Sequence, residues 1–397
     1  MIETTAFKVE LSQPATDMVQ EELRKQIAFL SPGISNIRFE NDGRAVTFEV
    51  SEGNAPPDDL EAQVKALAAR IQRGLRQLQR KVIFVSPRMQ NPTFDTVDEL
   101  PGLHGMGLGI VAFEGLTLRL FRYFDRIFEA VGDKWSAVPL QTPTLIPSHV
   151  LAKCDYFRSF PHNVTFASHL REDSQNIDGF RQRYHDVDHL DEHAASHFDT
   201  PEACLSPAVC YHTYYLNRDK ILPESGLTYG VCGKCFRYES SNMSDLRRLW
   251  DFTMREVVFL GFREHVLERR TETIDWMSKM LVEHELAGEI RTASDPFFVA
   301  PDAVSKTYFQ LSSETKFEVS LLLPNDERLA VGSHNYHSDF FGKAFNTNIE
   351  NHGAMHSVCM AFGLERWVYA FLQQHGEEIE RWPAVVRSAP EFQKRRG

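Results

Sequence analysis

The sequence has 397 residues and 42% of them are hydrophobic, which is enough for one large core and a smaller second one. Its net charge of −12 argues against unguided binding along a nucleic-acid backbone, because such binding needs a basic surface. The N-terminus lacks the pattern of a signal sequence, and no uncharged apolar run reaches the roughly 18 residues that span a bilayer. We therefore expect a soluble cytoplasmic protein that does not contact a membrane.

Residues 1–86 have the pattern of a small α+β accessory domain. Residues 87–109 are predicted to form a linker, and residues 110–397 a second, larger domain. The predicted elements of the small domain are a strand at 7–11, a helix at about 18–30, strands at 36–40 and 45–50, and a helix at about 64–78.

The second predicted helix carries basic residues on the side opposite its apolar face. Spaced like charges on one helix face usually form an ordinary solvated surface, which is our first interpretation. The alternative is a surface that receives an acidic partner, since such charges steer association. The residues of this arginine stripe are Arg70, Arg73, Arg76 and Arg80.

The larger domain combines strands with helices in a way that predicts an antiparallel α+β sheet with helices outside it. Proline within one predicted strand places that strand at an edge or an interface. The predicted elements are a helix at 114–131, the proline-containing strand at 138–147, a helix at 274–285, strands at 316–323 and 328–333, and a strand-to-helix junction at 357–367.

Four histidines spaced four residues apart are predicted to share one face of a helical insertion. We interpret this insertion as a polar exposed helix, with metal binding as the alternative. The histidines are His185, His189, His193 and His197.

Six cysteines are too few to hold so long a chain as a disulfide scaffold, so reduced thiols or metal ligands are expected. Cys232 and Cys235 have the Cys-x-x-Cys spacing of a zinc knuckle. No second pair stands near them in the sequence, so this spacing is weak evidence for metal.

The stretch 234–261 consists of two apolar runs around a polar loop, which predicts a hairpin. Arg237 and Glu239 lie on the first arm, and Arg248 and Phe252 on the second. A forked cation, a flat aromatic ring and a carboxylate are the groups that a bound nucleoside triphosphate needs. The hairpin is therefore a candidate ATP site.

These residues resemble the catalytic core of class II aminoacyl-tRNA synthetases, over the region from about 100 to about 385. The helix and strand at 114–147 resemble the first motif of that class, which forms a homodimer interface. Arg237-x-Glu239 with Arg248-x-x-x-Phe252 resembles the second motif. The sequence Gly-Leu-Glu-Arg at 363–366 resembles the third. The resemblance predicts an α+β fold with a class II synthetase-like catalytic domain.

The resemblance implies that Arg237 contacts the α-phosphate of ATP, with Glu239 at the adenine, Arg248 at the terminal phosphates and Phe252 under the base. Arg366 would lie on the other flank, and Arg237 and Arg366 would act on the reacting phosphate. The complete set of ATP-binding residues implied in this way is Arg237, Glu239, Arg248, Leu249, Phe252, Lys316 and Arg366.

A narrower resemblance rests on Cys210, Glu256 and Cys359, which match the zinc-ligand pattern of atypical seryl-tRNA synthetases and of the shorter amino acid:[carrier protein] ligases. Two thiolates and one carboxylate suit Zn²⁺ and leave a fourth position open. In that family the open position receives the amino group of the amino acid. The alternative is two buried thiols beside a glutamate in a salt bridge.

The same resemblance implies a pocket for a small amino acid such as Gly, Ala or Ser, with Mg²⁺ accompanying ATP. Glu318 or Glu327 is expected to hold that Mg²⁺, because the position that carries a carboxylate in standard synthetases is apolar here. The implied pocket residues are Lys316, Glu318, Ala330, Val331, Gly332 and Ser333, together with Glu256.

The resemblance leaves the acceptor of the activated amino acid to be chosen. We favour an AMP- and pyrophosphate-forming ligase that charges the phosphopantetheine thiol of a carrier protein, because the catalytic part is acidic and the N-terminal domain is small. A seryl-type enzyme that charges tRNA is the first alternative. A synthetase paralogue without catalytic activity is the second.

Overall fold

A computed structural model describes residues 4–31, 33–51, 58–75, 78, 80–239, 243, 245–295 and 303–393. The N-terminal unit contains β1 (Thr4–Glu10), α1 (Asp17–Ile27), β2 (Ile34–Glu40), β3 (Ala45–Ser51) and α2 (Leu60–Leu75). Its strands form an antiparallel sheet in the order β1-β3-β2. The helices bury apolar residues that recur at spacings of three and four, as the sequence predicts.

The larger unit follows. Its strands are β4 (Val82–Val85), β5 (Leu103–Gly107), β6 (Ile110–Phe113), β7 (Val138–Gln141), β8 (Leu145–Pro147), β9 (Phe166–Ala167), β10 (Ala203–Leu205), β11 (Ile221–Leu222), β12 (Leu227–Phe236), β13 (Asp251–Gly261), β14 (Gly288–Thr292), β15 (Lys316–Leu322), β16 (Arg328–Tyr336), β17 (Asn348–Ile349), β18 (Gly353–Ala354) and β19 (His356–Gly363). Its helices are α3 (Gly115–Asp133), α4 (Ser148–Lys153), α5 (Tyr156–Ser159), α6 (Ser174–Tyr184), α7 (Cys210–Leu216), α8 (Arg263–Glu283), α9 (Ala303–Ser312), α10 (Phe340–Ala344), α11 (Leu364–His375) and α12 (Ala384–Arg387). Within the described ranges, no helix is both long and apolar enough to cross a membrane.

One large sheet organises this unit, with its strands in the order β4-β14-β15-β16-β19-β13-β12-β7. All neighbouring strands are antiparallel except β12 and β7, which run parallel. Helices α3, α8 and α11 pack on it or on one another. The predicted α+β class is therefore confirmed.

The large sheet separates two hydrophobic cores, because alternate residues of a strand point to opposite faces. On β13, Val257 and Phe259 belong to the first core, which includes residues of α3, α8 and α11. Val258 and Leu260 belong to the second core, which includes Cys210 of α7. The central strands are thus buried on both faces. A polar side chain on them costs free energy unless it has a hydrogen-bond partner, an ion or a ligand.

The proline-containing stretch at 138–147 is two strands rather than one. β7 is the last strand of the large sheet, whereas β8 pairs with β10 in a separate small sheet. Pro139 lies on the edge strand, where a missing N–H costs least, as the sequence predicts.

The predicted histidine ladder is wrong. Helix α6 ends at Tyr184, and a separate 3₁₀ turn spans Glu192–His197. Asp191 begins this turn, since its carboxylate accepts the His193 N–H at 3.0 Å and pairs with Arg183 at 2.6 Å. Asp191 therefore caps a separate turn that begins after α6 has ended, and the four histidines do not share one helix face.

Helix α8 begins at Arg263, well before the predicted start at 274. Its first half buries a single apolar residue, Val266, whereas its second half buries Met277, Met280 and Leu281. The apolar repeat that reveals a helix is therefore present only in the second half.

The domain boundaries at 86 and 109 stay a prediction. β4 lies inside the predicted accessory domain, yet it pairs with β14 at one edge of the large sheet. β5 lies within the predicted linker, and it pairs in a small hairpin with β6, which lies in the predicted larger domain.

The arginine stripe does not form one solvated face. Arg80 is 13% exposed and pairs with Glu21 of α1 at 2.6 Å. Arg70 is half-buried, and Arg73 is exposed. Arg76 lies outside the described residues. Helix α2 ends at Leu75, so Arg80 lies beyond it. The helical spacing of the arginines therefore could not predict that Arg80 pairs with Glu21.

Candidate active site

The predicted hairpin is present at the centre of the large sheet. β12 and β13 pair antiparallel over the whole length of β12, and the Arg237 N–H donates to the Trp250 carbonyl at 3.0 Å just beyond. The prediction over 234–261 is thus confirmed, although the first strand begins at Leu227.

Arg237 lies against the ring of Phe252 across this hairpin. The guanidinium carbon is 5.5 Å from the ring centroid, and Nε donates to the Pro207 carbonyl at 3.0 Å. Burial opposes its charge, but nearby Tyr156, Cys235 and Glu239 more than offset that effect, so the pKa of Arg237 is raised. Arg237 is therefore a partly buried, oriented cation.

Glu239 and Arg248 are brought together in the same place. Arg248 Nε is 2.9 Å from Glu239 Oε2, and both side chains keep some contact with solvent. An exposed pair of this kind contributes little to stability, so exchanging it for contacts with a ligand costs little.

Arg366 completes the group from the start of α11. Its Nε donates to the Arg247 carbonyl at 2.7 Å and its Nη1 to the Ala330 carbonyl at 3.0 Å. Burial lowers the pKa of Arg366, and nearby Arg248 and Arg237 lower it further while Glu239 opposes them. A bound polyanion would relieve this repulsion among three guanidinium groups.

The carboxylate of Glu365 fixes the start of α11 against β13. Both of its oxygens accept the Thr253 N–H, at 2.8 and 2.9 Å. The next residue, Arg366, is thereby held beside the hairpin.

Cys210, Glu256 and Cys359 are also brought together. Their ligand atoms all lie within 4.8 Å of one another, all three residues are buried, and the described part of the chain contains no other such group. Cys210 is the first residue of α7. Glu256 is on β13 and Cys359 on β19, in neighbouring strands on the face of the second core.

The charges of this cluster fit a divalent cation. Glu256 Oε2 is buried without a hydrogen-bond partner, and burial, reinforced by Cys359, raises the pKa of Glu256 well above its usual range. A hydrogen bond from Cys210 lowers the pKa of Cys359, and the same bond raises the pKa of Cys210. Two sulfurs and a carboxylate with an unused oxygen match the ligand preference of Zn²⁺.

The pairing of strands places two rows of side chains on this face of the sheet. Register joins Glu318 to Ser333, Ser333 to Ala361, and Ala361 to Glu256. Partners directly opposite each other point to the same face. The row beside it consists of Lys316, Asn335, Cys359 and Val258.

Comparison with known proteins adds an independent observation, although no protein-family profile matches the chain. The chain is 29% identical over 309 residues to amino acid–[acyl-carrier-protein] ligase 1 of Bradyrhizobium diazoefficiens. This match spans 76% of the chain and 90% of that ligase. The chain is 31% identical over 253 residues to ligase 2 of the same bacterium, which covers 62% of this chain and 73% of that ligase. The chain belongs to the amino acid–[acyl-carrier-protein] ligase family.

The chain is also similar to seryl-tRNA synthetases. The type-2 serine–tRNA ligase of Methanopyrus kandleri is 26% identical over 276 residues, and the match spans 66% of this chain and 52% of that enzyme. The fold matches the M. kandleri seryl-tRNA synthetase solved with A. aeolicus tRNASec, with a TM-score of 0.66 at 18% identity over 98% of this chain and 77% of that chain. The predicted class II synthetase-like fold is therefore confirmed.

Two of the predicted site residues, Leu249 and Val331, have side chains that point away from the candidate site. Leu249 is 5% exposed and packs in the first core, so its side chain is not available to a bound nucleotide. Val331 is 2% exposed and also packs in the first core, away from Glu256. The cause is a register shift between Val319 and Ser320, opposite this part of β16. Ala330 contributes its carbonyl, which accepts from Arg366 Nη1, whereas Gly332 pairs with Val319 and Phe362 of the first core.

Lys316 faces the candidate site but is already paired. Its Nζ lies 2.6 Å from Asp295 Oδ1 and 4.0 Å from Glu318 Oε2. Burial opposes the charge of Asp295, yet Lys316 and Gln310 hold the pKa of Asp295 down at about 2. Lys316 is therefore a positioned cation at the edge of the site.

Asn335 and His337 are site residues that the sequence prediction did not name. Asn335 Nδ2 donates to Ser333 Oγ at 3.0 Å and lies 3.5 Å from Cys359 Sγ. His337 Nε2 is 4.0 Å from the same sulfur. The signal was available, because Ser333, Asn335 and His337 follow each other at the two-residue period of a strand.

Cys232 and Cys235 do not form a metal site. Cys235 is fully buried in the second core, whereas Cys232 lies near Asp125, 3.7 Å from Oδ1, and pairs in register with Arg255. A spacing of three on a strand sends two side chains to opposite faces, so the pair cannot share a ligand.

Proposed function

We propose that the protein activates a small amino acid with ATP as an aminoacyl-adenylate and then transfers the aminoacyl group to the phosphopantetheine thiol of a carrier protein. The observation that carries this proposal is that one strand, β13, contributes to both candidate half-sites. Phe252 lies under Arg237 and Glu256 lies in the metal-ligand cluster, on the same face of the strand. Four residues along a strand span about 13 Å, a distance suited to the two ends of an aminoacyl-adenylate.

Cys210, Glu256 and Cys359 would hold the zinc ion, and a bound zinc ion supplies an anchor for the uncharged amino group of the substrate. Ser333 and Glu318 line the face beside that anchor. Ala361 and Ser333 lie on the row of Glu256, and both carry small side chains. This arrangement favours Gly, Ala or Ser.

The first step requires charge neutralisation and alignment more than proton transfer. A carboxylate oxygen of the amino acid forms a bond to the α-phosphorus of ATP, and the bond to pyrophosphate breaks. Arg237 neutralises charge on the α-phosphate, Arg248 binds the leaving phosphates, and Arg366 flanks the nucleotide. Preorganised cations of this kind are the main source of rate enhancement in phosphoryl chemistry.

In the second step the carrier's thiolate attacks the aminoacyl carbonyl carbon, and AMP leaves with the electrons of the broken C–O bond. Mg²⁺ is expected to arrive with ATP. Glu318 is the better of the two predicted ligands, because it lies on the row of Ser333. Glu327 instead faces Arg247, at 3.2 Å, and is half exposed.

The carrier protein is proposed as acceptor because both Bradyrhizobium relatives are named as amino acid–[acyl-carrier-protein] ligases. Transfer to tRNA is the second candidate function. It is favoured by one observation: the type-2 serine–tRNA ligase of Methanococcus maripaludis matches 95% of this chain, at 23% identity, so that the match includes the N-terminal unit. The third interpretation, a synthetase paralogue without catalytic activity, is disfavoured because the sequence retains the predicted ATP-binding residues Arg237, Arg248, Phe252 and Arg366.

We also propose a homodimer located in the cytoplasm. Met106 on the β5–β6 hairpin is 70% exposed and Val138 on the edge strand β7 is 51% exposed, and these are exposed apolar side chains that a second copy would cover. All six cysteines are free, which fits a reducing compartment.

The proposed function is tested by amino-acid-dependent ATP–pyrophosphate exchange followed by transfer of a radiolabelled amino acid. We expect exchange with Gly, Ala or Ser, and label transfer to a carrier protein that bears phosphopantetheine but not to the same carrier without it. Label on tRNA alone would establish the second candidate function. Absence of exchange with every small amino acid would contradict the proposal.

A further inference from the structure

The N-terminal unit packs directly against the large sheet through α1. Glu22 and Gln26 of this helix are 2% and 0% exposed, although both are polar. Gln26 Nε2 donates to Glu22 Oε1 at 2.6 Å, and Ser294 Oγ donates to Glu22 Oε2 at 3.4 Å. A buried polar face on a surface helix needs such partners, and here the segment after β14 supplies one of them.

Lys25 is the centre of this contact. Its Nζ donates to the carbonyl and the hydroxyl of Ser294 at 3.2 and 3.3 Å, and lies 3.4 Å from Glu21 and 3.6 Å from Glu22. Burial opposes its charge, but Glu21, Glu22 and Glu318 leave the pKa of Lys25 raised. The N-terminal unit therefore places a cation against the segment that follows β14.

Asp295, the residue after Ser294, binds Lys316, whose side chain faces the pocket. The Asp295 carboxylate accepts from Lys316 Nζ at 2.6 Å and from Gln310 Nε2 at 2.7 Å. The Ala293 N–H donates to the Lys316 carbonyl at 3.1 Å. A continuous series of contacts thus runs from Lys25 through Ser294 and Asp295 to Lys316, which shares its row with Asn335 and Cys359.

A second contact joins the end of α1 to the other side of the site. The Phe29 ring lies 4.3 Å from the ring of His162. The carbonyl of the next residue, Asn163, accepts the Tyr238 N–H at 3.3 Å, immediately after Arg237. One end of the N-terminal unit therefore touches segments on both flanks of the candidate active site.

We propose that Lys25 is a positioning residue for amino acid activation, which fixes the 293–295 segment so that Asp295 holds Lys316 at the pocket. The proposal rests on the proposed function. It gives the N-terminal unit a part in the first half-reaction, before any acceptor binds.

The variant Lys25→Met tests it by steady-state pyrophosphate exchange. We expect the KM for the amino acid to rise about tenfold, with kcat within about twofold of the wild type, because a displaced Lys316 weakens substrate binding. Lys25→Arg keeps the charge and the donors and should restore the KM. Lys65→Met is the matched control, because Lys65 forms an exposed pair with Glu61 in the same unit.

A double-mutant cycle separates this role from general stabilisation. Asp295→Asn should raise the same KM, and adding Lys25→Met to it should cause little further change, since the two residues act through one segment. If Lys25→Met does not fold, Ser294→Ala replaces it in the cycle. Independent, multiplying effects on KM would overturn the proposal.

The failure of this inference and that of the proposed function are distinguishable. An active wild type whose KM is unchanged in the folded Lys25→Met variant would overturn the role of Lys25 alone. A wild type without exchange would overturn the proposed function, and the role of Lys25 with it.

Discussion

Replacing Glu256 by alanine is expected to remove bound zinc and amino-acid-dependent pyrophosphate exchange together. The carboxylate is buried between Cys210 and Cys359, and its Oε2 atom lacks a hydrogen-bond partner. Groups that only orient metal ligands contribute 10–100-fold to metal affinity or activity, so loss of a ligand should reduce exchange by more than about 100-fold. Metal analysis and the exchange assay measure the two effects on the same sample.

Cys232→Ser is the matched control for this variant. Cys232 is a partly buried thiol on the neighbouring strand and lies outside the ligand cluster, so zinc content and exchange should stay at wild-type levels. A folded Glu256→Ala protein that retains one zinc per chain would contradict the ligand assignment. Retained zinc with lost exchange would assign Glu256 to the substrate rather than to the metal.

Replacing Arg237 by alanine is expected to reduce pyrophosphate exchange by about 100- to 1,000-fold, the cost of removing one preorganised donor from a charged transition state. Zinc content should not change, because Arg237 is outside the cluster of Cys210, Glu256 and Cys359. Steady-state exchange, with zinc measured in parallel, distinguishes this loss from that of Glu256→Ala. The two variants therefore divide the site into its proposed nucleotide and amino acid halves.

Arg263→Ala is the control for Arg237→Ala, since Arg263 is an exposed arginine that pairs with Glu264 at the start of α8. Its exchange rate should equal that of the wild type. Arg237→Lys keeps one charge but loses the fork that holds both the Pro207 carbonyl and a phosphate, so it should recover only part of the rate. Exchange by a folded Arg237→Ala protein at wild-type rate would refute the assignment.

The sequence reveals the centre of this fold well because its signals there are local. The hairpin of β12 and β13 follows from two apolar runs around a polar loop, and Arg237 and Phe252 are candidates because of their residue types within it, whereas the role of Glu256 comes from the resemblance to a known family. Cys210 and Cys359 are distant in sequence, and their place beside Glu256 came from the resemblance to a known family.

Contacts that depend on packing between distant segments could not be predicted. Lys25 and Ser294 are 269 residues apart in the sequence, and no periodicity links them. Val331 was expected to line the pocket, but it is the extra residue of a β-bulge in β16, opposite Val319 and Ser320, and its side chain packs in the first core. The histidines at 185–197 have a helical spacing, but α6 ends at Tyr184 and Asp191 caps a separate 3₁₀ turn. The first two differences depend on segments that are distant in sequence, whereas the third is local.

The most direct test of a single strand serving both half-sites is X-ray diffraction at the zinc absorption edge, from crystals grown with a non-hydrolysable aminoacyl-adenylate analogue. We predict an anomalous peak about 2.3 Å from the sulfurs of Cys210 and Cys359, with the analogue's amine as the remaining ligand. The adenylate phosphate should lie against Arg237, with the base on Phe252. A zinc peak elsewhere, or an analogue bound away from β13, would contradict this arrangement.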